Sequence, residues 1–189
     1  MQRRTFLKTA VAIIPCAGLH DIVSEYAHAE APVPATPDSL HVVSAGEDRY
    51  SQPIALGFST MLFKVASNET AGGLFIVEHK NLLNAGPALH LHVAQEEWFY
   101  VVEGRVAFQV GERRFELGPG ESVLAPRRVP HAFAGTGAAP AHMLIAFSPA
   151  GKMEACFRDL STQHSTAERV AWFRRYDMEY VGPSPFKKS

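Results

Sequence analysis

From Leu40 to Phe147 the chain is a train of short runs rich in β-branched and aromatic residues, each cut off by glycine or proline. Such a pattern suits an antiparallel barrel or sandwich and leaves no room for long helices. The runs are Leu40 to Ser44, Ile54 to Ala66, Leu74 to His79, Ala88 to His92, Trp98 to Val102 and Arg105 to Val110. They continue with Arg113 to Leu117, Ser122 to Ala125, His131 to Ala134 and His142 to Phe147. Gly111-Glu112, flanked by Phe108-x-Val110 and Phe115-x-Leu117, predicts a tight hairpin. After Phe147 the texture turns helical. Met153, Cys156, Phe157 and Leu160 fall at helical spacing, so Cys156 belongs to a packing stripe. Ser165 with Glu168 makes a capping box, with Ala167, Val170, Ala171 and Arg174 on one face behind it. Two helices over residues 151–189 are therefore expected to pack on the outside of the barrel.

The first 29 residues read as an address. Arg3-Arg4-Thr5-Phe6-Leu7-Lys8 precedes a mildly apolar run from Ala10 to Leu19, too short to span a bilayer, and Ala27-His28-Ala29 suits cleavage after Ala29. The arginine pair resembles a bacterial twin-arginine export signal, which implies a periplasmic or secreted protein. That route carries folded proteins, often with a metal already inserted. Cys16 follows Pro15, a poor match to a lipidation site. Residues 30–39, with three prolines, read as a linker, and residues 40–150 as the barrel. Removing Arg3, Arg4, Lys8, Asp21 and Glu25 leaves 15 basic and 17 acidic residues, so there is no basic excess to bind nucleic acid. Cys156 would then be the only cysteine, which excludes an internal disulfide.

The chemistry is concentrated in one stretch. His90 and His92 flank one residue of a strand, so both imidazoles project from the same face and can chelate one cation. Glu97 opens the next apolar run, where a hard oxygen ligand could join them, and His131, following Pro126 and Pro130, could supply a third nitrogen. Glu96 competes for the carboxylate role. The other histidines read as ordinary: His79 and His142 could approach the pocket, whereas His41 and His164 look like surface residues.

His90-x-His92-x4-Glu97-x6-Gly104 and Gly120-x5-Pro126 with His131 resemble the two motifs of the cupin superfamily. The six-residue interval to Gly104 selects Glu97 and sends Glu96 to solvent. Gly86 stands three residues before His90 where the motif has five, Arg128 replaces a motif glycine and Gly135 a motif asparagine. Tyr176 to Pro183 resembles the tail of small cupins related to quercetin dioxygenases. The resemblance implies a jelly-roll β-barrel with two C-terminal helices, holding one divalent transition metal on His90, His92, Glu97 and His131. Three imidazoles and a carboxylate suit Fe, Mn, Co, Ni, Cu or Zn alike. It further implies a dioxygenase-like oxidoreductase for a small aromatic or enolic substrate, with Glu97 as ligand and proton acceptor. Phe99, Val101, Phe108, Phe133 and Leu144 would give the lining. A metal-dependent isomerase or hydrolase, and a non-catalytic periplasmic binding or sensing protein, are the alternatives. By the same analogy the Leu40–Ser44 run is an edge strand through which a homodimer could form.

Overall fold

The structure, a computed structural model, describes residues 40–159 and 165–186. The export signal with its cleavage site, Cys16, the proline-rich linker and His164 lie outside the described residues. Among the described residues no helix is long and apolar enough to cross a membrane.

Eleven strands are described: β1 (Ile54–Ala55), β2 (Thr60–Val65), β3 (Phe75–Leu82), β4 (Leu89–His92), β5 (Glu96–Glu103), β6 (Val106–Val110), β7 (Arg113–Leu117), β8 (Ser122–Ala125), β9 (His131–Gly135), β10 (Ala141–Ser148) and β11 (Met178–Gly182). Helix α1 (Met153–Arg158) and helix α2 (Thr166–Arg175) lie between β10 and β11. The strands form two antiparallel sheets, ordered β1-β2-β3-β10-β5-β8 and β11-β4-β9-β6-β7. The expected closed barrel is thus a two-sheet sandwich among the described residues, with no hydrogen-bonded ladder joining one sheet to the other.

The inner faces meet through aromatic rings. Phe99 of β5 packs against Phe108 of β6 and Phe133 of β9, with centroids 5.2 and 5.5 Å apart. Phe63, Phe75 and Phe147 continue the core along the six-stranded sheet. Strand parity dictates this: in β5 the buried positions are Glu97, Phe99 and Val101, and in β10 they are Ala141, Met143, Ile145 and Phe147. Leu144, expected in the lining, has the opposite parity and points out of the core, as does His142, which meets Glu78 on the outer face at 2.6 Å.

The β6–β7 hairpin forms over Gly111-Glu112 with Phe108 opposite Phe115. Gly104, the motif glycine after β5, has φ +74°, and a Cβ there would sit 2.8 Å from the Ala141 backbone. Close approach of β10 therefore requires glycine at this corner. The capping box starts α2 as expected, with Ser165 Oγ accepting from Glu168 N at 3.2 Å and Glu168 Oε2 accepting from Ser165 N at 2.8 Å.

Two expectations are corrected. Leu40–Ser44 is not a strand; it runs as irregular chain with Leu40 and Val42 exposed, since no neighbouring strand offers it a ladder. The two helices bring buried side chains, Met153 and Cys156 from α1 and Phe173 from α2, into the core itself. They close the sandwich instead of resting on its outside. After them β11 adds to the five-stranded sheet beside β4, with Tyr180 opposite His90 and Met178 opposite His92.

Candidate metal centre

β4 reads Leu-His-Leu-His, and its alternation buries both histidines while Leu89 and Leu91 face outward. β9 is its neighbour, paired through His90 opposite His131. Glu97 comes from β5 in the other sheet. Three imidazoles from one sheet thus meet one carboxylate from the sheet facing it, and an apolar stacking interaction is replaced there by a polar cluster. All four side chains are buried, at 6% exposure or less.

One candidate ligand atom from each residue lies within 4.8 Å of those from the others. The rings of His90, His92 and His131 are 4.7 to 5.4 Å apart by centroid. His131 Nε2 stands 2.7 Å from Glu97 Oε2, and His92 Nε2 3.0 Å from the same oxygen. Glu96 points away and pairs with Arg127, so the carboxylate expected at the site is the one found there.

Backbone contacts set the imidazoles for metal. His90 Nδ1 contacts the Ala88 carbonyl and His131 Nδ1 the Val129 carbonyl, each at 2.9 Å. A carbonyl only accepts, so each Nδ1 carries the hydrogen and each Nε2 is left as the lone-pair donor that a cation needs. His92 is 1% exposed, and its Nε2 meets only the Glu97 carboxylate oxygen while its Nδ1 has no hydrogen-bond partner. Such a buried orphan costs free energy unless something else satisfies it. A divalent cation does so, and the nitrogen-rich donor set fits a first-row transition ion.

At His90 the electrostatics agree. Burial pushes His90 down to about 3, helped by the neighbouring charges of His131 and His92. That is the neutral form a metal requires. For Glu97, burial alone would raise the carboxyl, but hydrogen bonding and charge from His131 and His92 outweigh it and hold the group well below the ordinary carboxylate range. His131 moves the opposite way, burial being offset by the Glu97 carboxylate, which leaves it raised.

The turn from β8 into β9 ties the ligands together. Arg128 adopts φ +64° and donates its backbone N–H to the His92 carbonyl at 2.7 Å. The glycine expected at this position is therefore a conformational requirement, met here by an arginine held in the left-handed region.

The cluster opens on a chamber of about 90 Å³ bordered by His90, His92 and Glu97. Its other walls are almost all apolar: Leu56, Phe58, Phe133, Ile145 and Phe147 from the sandwich, and Met153, Phe157, Trp172 and Phe173 from the helical segment. Phe173 lies 5.4 Å from the His90 ring. Of the expected lining, Phe133 borders the chamber. Phe99, Val101 and Phe108 are core behind it, Phe99 backing the His131 ring at 6.1 Å. Cys156 also borders the chamber; burial, then the charges of Asp159 and Glu97, push its thiol up, so it packs as a small apolar group. His79, expected as one that could approach the pocket, borders the chamber as well. Its inward parity in β3 was the available signal, since the run Leu74 to His79 places it on the same face as Phe75 and Val77.

Residues 84–147 match the Cupin_2 family, described as a cupin domain. A 61-residue stretch is 31% identical to an uncharacterized protein of Methanocaldococcus jannaschii, covering 32% of this chain and 49% of that one. The chain thus spans about half the length of the curated relative it matches. Among solved structures, an RmlC-like cupin from Shewanella frigidimarina superposes with a TM-score of 0.51 at 21% identity, over 61% of this chain and 96% of the other. KdgF from Halomonas sp. gives a TM-score of 0.50 at 17% identity, over 58% and 94%. At these identities the likeness is one of fold.

Proposed function

Starting from a cupin domain whose buried histidines and glutamate converge on one point, we propose that the protein is a metal-dependent oxidoreductase of dioxygenase type for a small aromatic or enolic substrate. The observation that carries it is the joining of the three-histidine, one-glutamate cluster to a chamber walled by aromatic side chains. No Lys or Arg borders that chamber among the described residues. This disfavours phosphorylated or strongly anionic substrates, which need fixed cations. The volume of about 90 Å³ further supports one small ring or a few heavy atoms in place of a fused-ring flavonol.

His90, His92, Glu97 and His131 would hold the ion, which when bound supplies Lewis-acid polarisation of a substrate oxygen and, if redox-active, a site for O₂. The chain's own contribution follows from its geometry. The ring edges and faces of Phe133, Phe147 and Phe173 would orient a planar substrate against the cluster. Met153, Phe157 and Trp172 of the helical segment line the chamber with apolar surface, which would limit water beside a bound substrate. Glu97, held ionised beside His131, is the acceptor for a proton from a substrate hydroxyl. The proposal includes export by the twin-arginine route after folding and metal insertion, supported by Arg3-Arg4 and by Ala27-His28-Ala29.

Elemental analysis of natively produced protein tests the first step. About one transition-metal ion per chain is expected, lost in His92→Ala and His131→Ala while the far-ultraviolet circular dichroism stays that of a β-protein. Oxygen uptake by the metal-loaded protein across small phenols and enols tests the second. No metal in the wild type would sink the proposal; metal without O₂ consumption on any such compound would leave the binding or isomerase reading in its place. Replacing Arg3 and Arg4 by lysine should retain the precursor in the cytoplasm, and unchanged export would refute the route.

A further inference from the structure

A fourth histidine, outside the cluster, borders the same chamber. His79 of β3 is 2% exposed, and its Nδ1 lies 2.9 Å from Ser59 Oγ. Ser59 does not border the chamber, whereas the His79 ring does. The ring is therefore gripped from behind by Ser59, and Nε2, on its opposite side, is buried with no hydrogen-bond partner. Phe133 fixes the ring plane by an edge-on contact at 5.9 Å and 81°.

Hydrogen-bond accounting chooses the tautomer. Were Nδ1–H to donate to Ser59, the serine hydroxyl would have its own proton unplaced and Nε2 would be a bare acceptor, leaving two unmet groups. With the Ser59 hydroxyl donating to Nδ1, a single group is unmet, the Nε2–H. Burial pushes this imidazole down to about 4, against the pull of the Glu97 charge, so it is neutral and holds one hydrogen. A lone buried N–H in an otherwise apolar wall is the arrangement expected where a ligand supplies the missing acceptor.

We propose that His79, held by Ser59, is a substrate-positioning residue whose Nε2–H donates to a second oxygen of the substrate while the first oxygen faces the three-histidine, one-glutamate cluster. This rests on the function proposed above and narrows it to compounds carrying two oxygens on a small planar frame, such as enediols, hydroxyketones or vicinal diphenols. A carboxylate or phosphate is not required, and a single-oxygen phenol would forgo the contact.

The test compares phenol and catechol on the Co(II)-substituted protein, whose visible spectrum reports ligands near the ion. His79→Phe, Ser59→Ala and His79→Gln are measured beside the wild type, each with metal content and melting temperature. Chelation of the ion by catechol is common to all four, so the readout is the change in the catechol-to-phenol affinity ratio. That ratio is expected to fall about five- to tenfold in His79→Phe, less in Ser59→Ala, and to be partly restored in His79→Gln, with cobalt content unchanged. An unchanged ratio in His79→Phe, or equal weakening of both probes, overturns the role of His79 while the metal-site reading stands. A wild type that takes up no cobalt, or shows no spectral response to either probe, overturns both.

Discussion

Arg128→Gly should stabilise the protein although it removes a side chain. Arg128 sits at φ +64° in the turn that delivers His131, and its N–H is bonded to the His92 carbonyl at 2.7 Å. Holding an L-residue in the left-handed region costs about 1–2 kcal/mol. Glycine removes that strain but loses about 0.5–1 kcal/mol of extra backbone entropy on folding. The backbone bond to His92 is available to either residue, and the exposed Arg128 side chain makes no ion pair among the described residues, so nothing else of size changes. The net gain is about 0.5–1 kcal/mol. In a chain of this length that is a rise of about 1–4 °C in melting temperature. Calorimetry on wild type, Arg128→Gly and Arg128→Ala measures it, with metal content as a control on the turn. Arg128→Ala keeps the strained backbone and should gain nothing. Equal stabilisation by alanine and glycine would locate the effect in the side chain, and a lower melting temperature in Arg128→Gly would refute the strain argument.

Three further outcomes are expected. Gly86→Ala places a methyl group 1.7 Å from the Phe133 carbonyl oxygen, a backbone atom that cannot yield, so about 2–3 kcal/mol of stability and part of the bound metal should be lost as β9 shifts; denaturant melts with metal analysis decide it, and a wild-type Cm would show that the contact relaxes freely. Glu78 lies between Lys64 at 2.9 Å and His142 at 2.6 Å; burial would raise its carboxyl, but these partners outweigh burial and lower it. Its contribution is therefore present above the ordinary carboxylate pKa and lost as pH falls through the depressed one, so Glu78→Gln should melt lower at pH 7, by about 1 kcal/mol, with the gap closing as pH falls below the ordinary carboxylate range. A gap constant with pH would show that the charge is not what matters. Phe173→Ala removes the ring 5.4 Å from His90 and should cost about 3 kcal/mol while opening the chamber; faster exchange of the bound metal with a chelator is the readout, and an unaltered rate would mean that α2 does not gate the site.

The three-histidine, one-glutamate cluster was legible because each piece depends on local periodicity. His90 and His92 share a face by strand parity alone, and the interval from Glu97 to Gly104 chooses between two adjacent carboxylates. Position in the lining was less legible, since it needs the phase of a strand as well as its existence. The run His142 to Phe147 was recognised, but with Leu144 inward instead of Ile145 and Phe147, because alanine at 146 leaves the apolar pattern nearly continuous. A wholly apolar stretch carries no parity signal. The Leu40–Ser44 run had strand-like composition and lacked a partner, which composition cannot reveal.

The helices show where sequence reading ends for a physical reason. Their amphipathic spacing and the capping box at Ser165 fix that they form, but an apolar helix face says only that something covers it. What determines the destination here is β11, which follows α2 and adds to the sheet beside β4 with Met178 opposite His92 and Tyr180 opposite His90. Once that short strand is anchored on β4, α2 is held beside the chamber, and Phe173 packs on the His90 and Tyr180 rings. The residues that complete the chamber are therefore positioned by a pairing more than eighty residues apart in sequence. The same connection couples the site to this strand: loosening β11 would disturb both the helical wall of the chamber and the strand that carries His90 and His92.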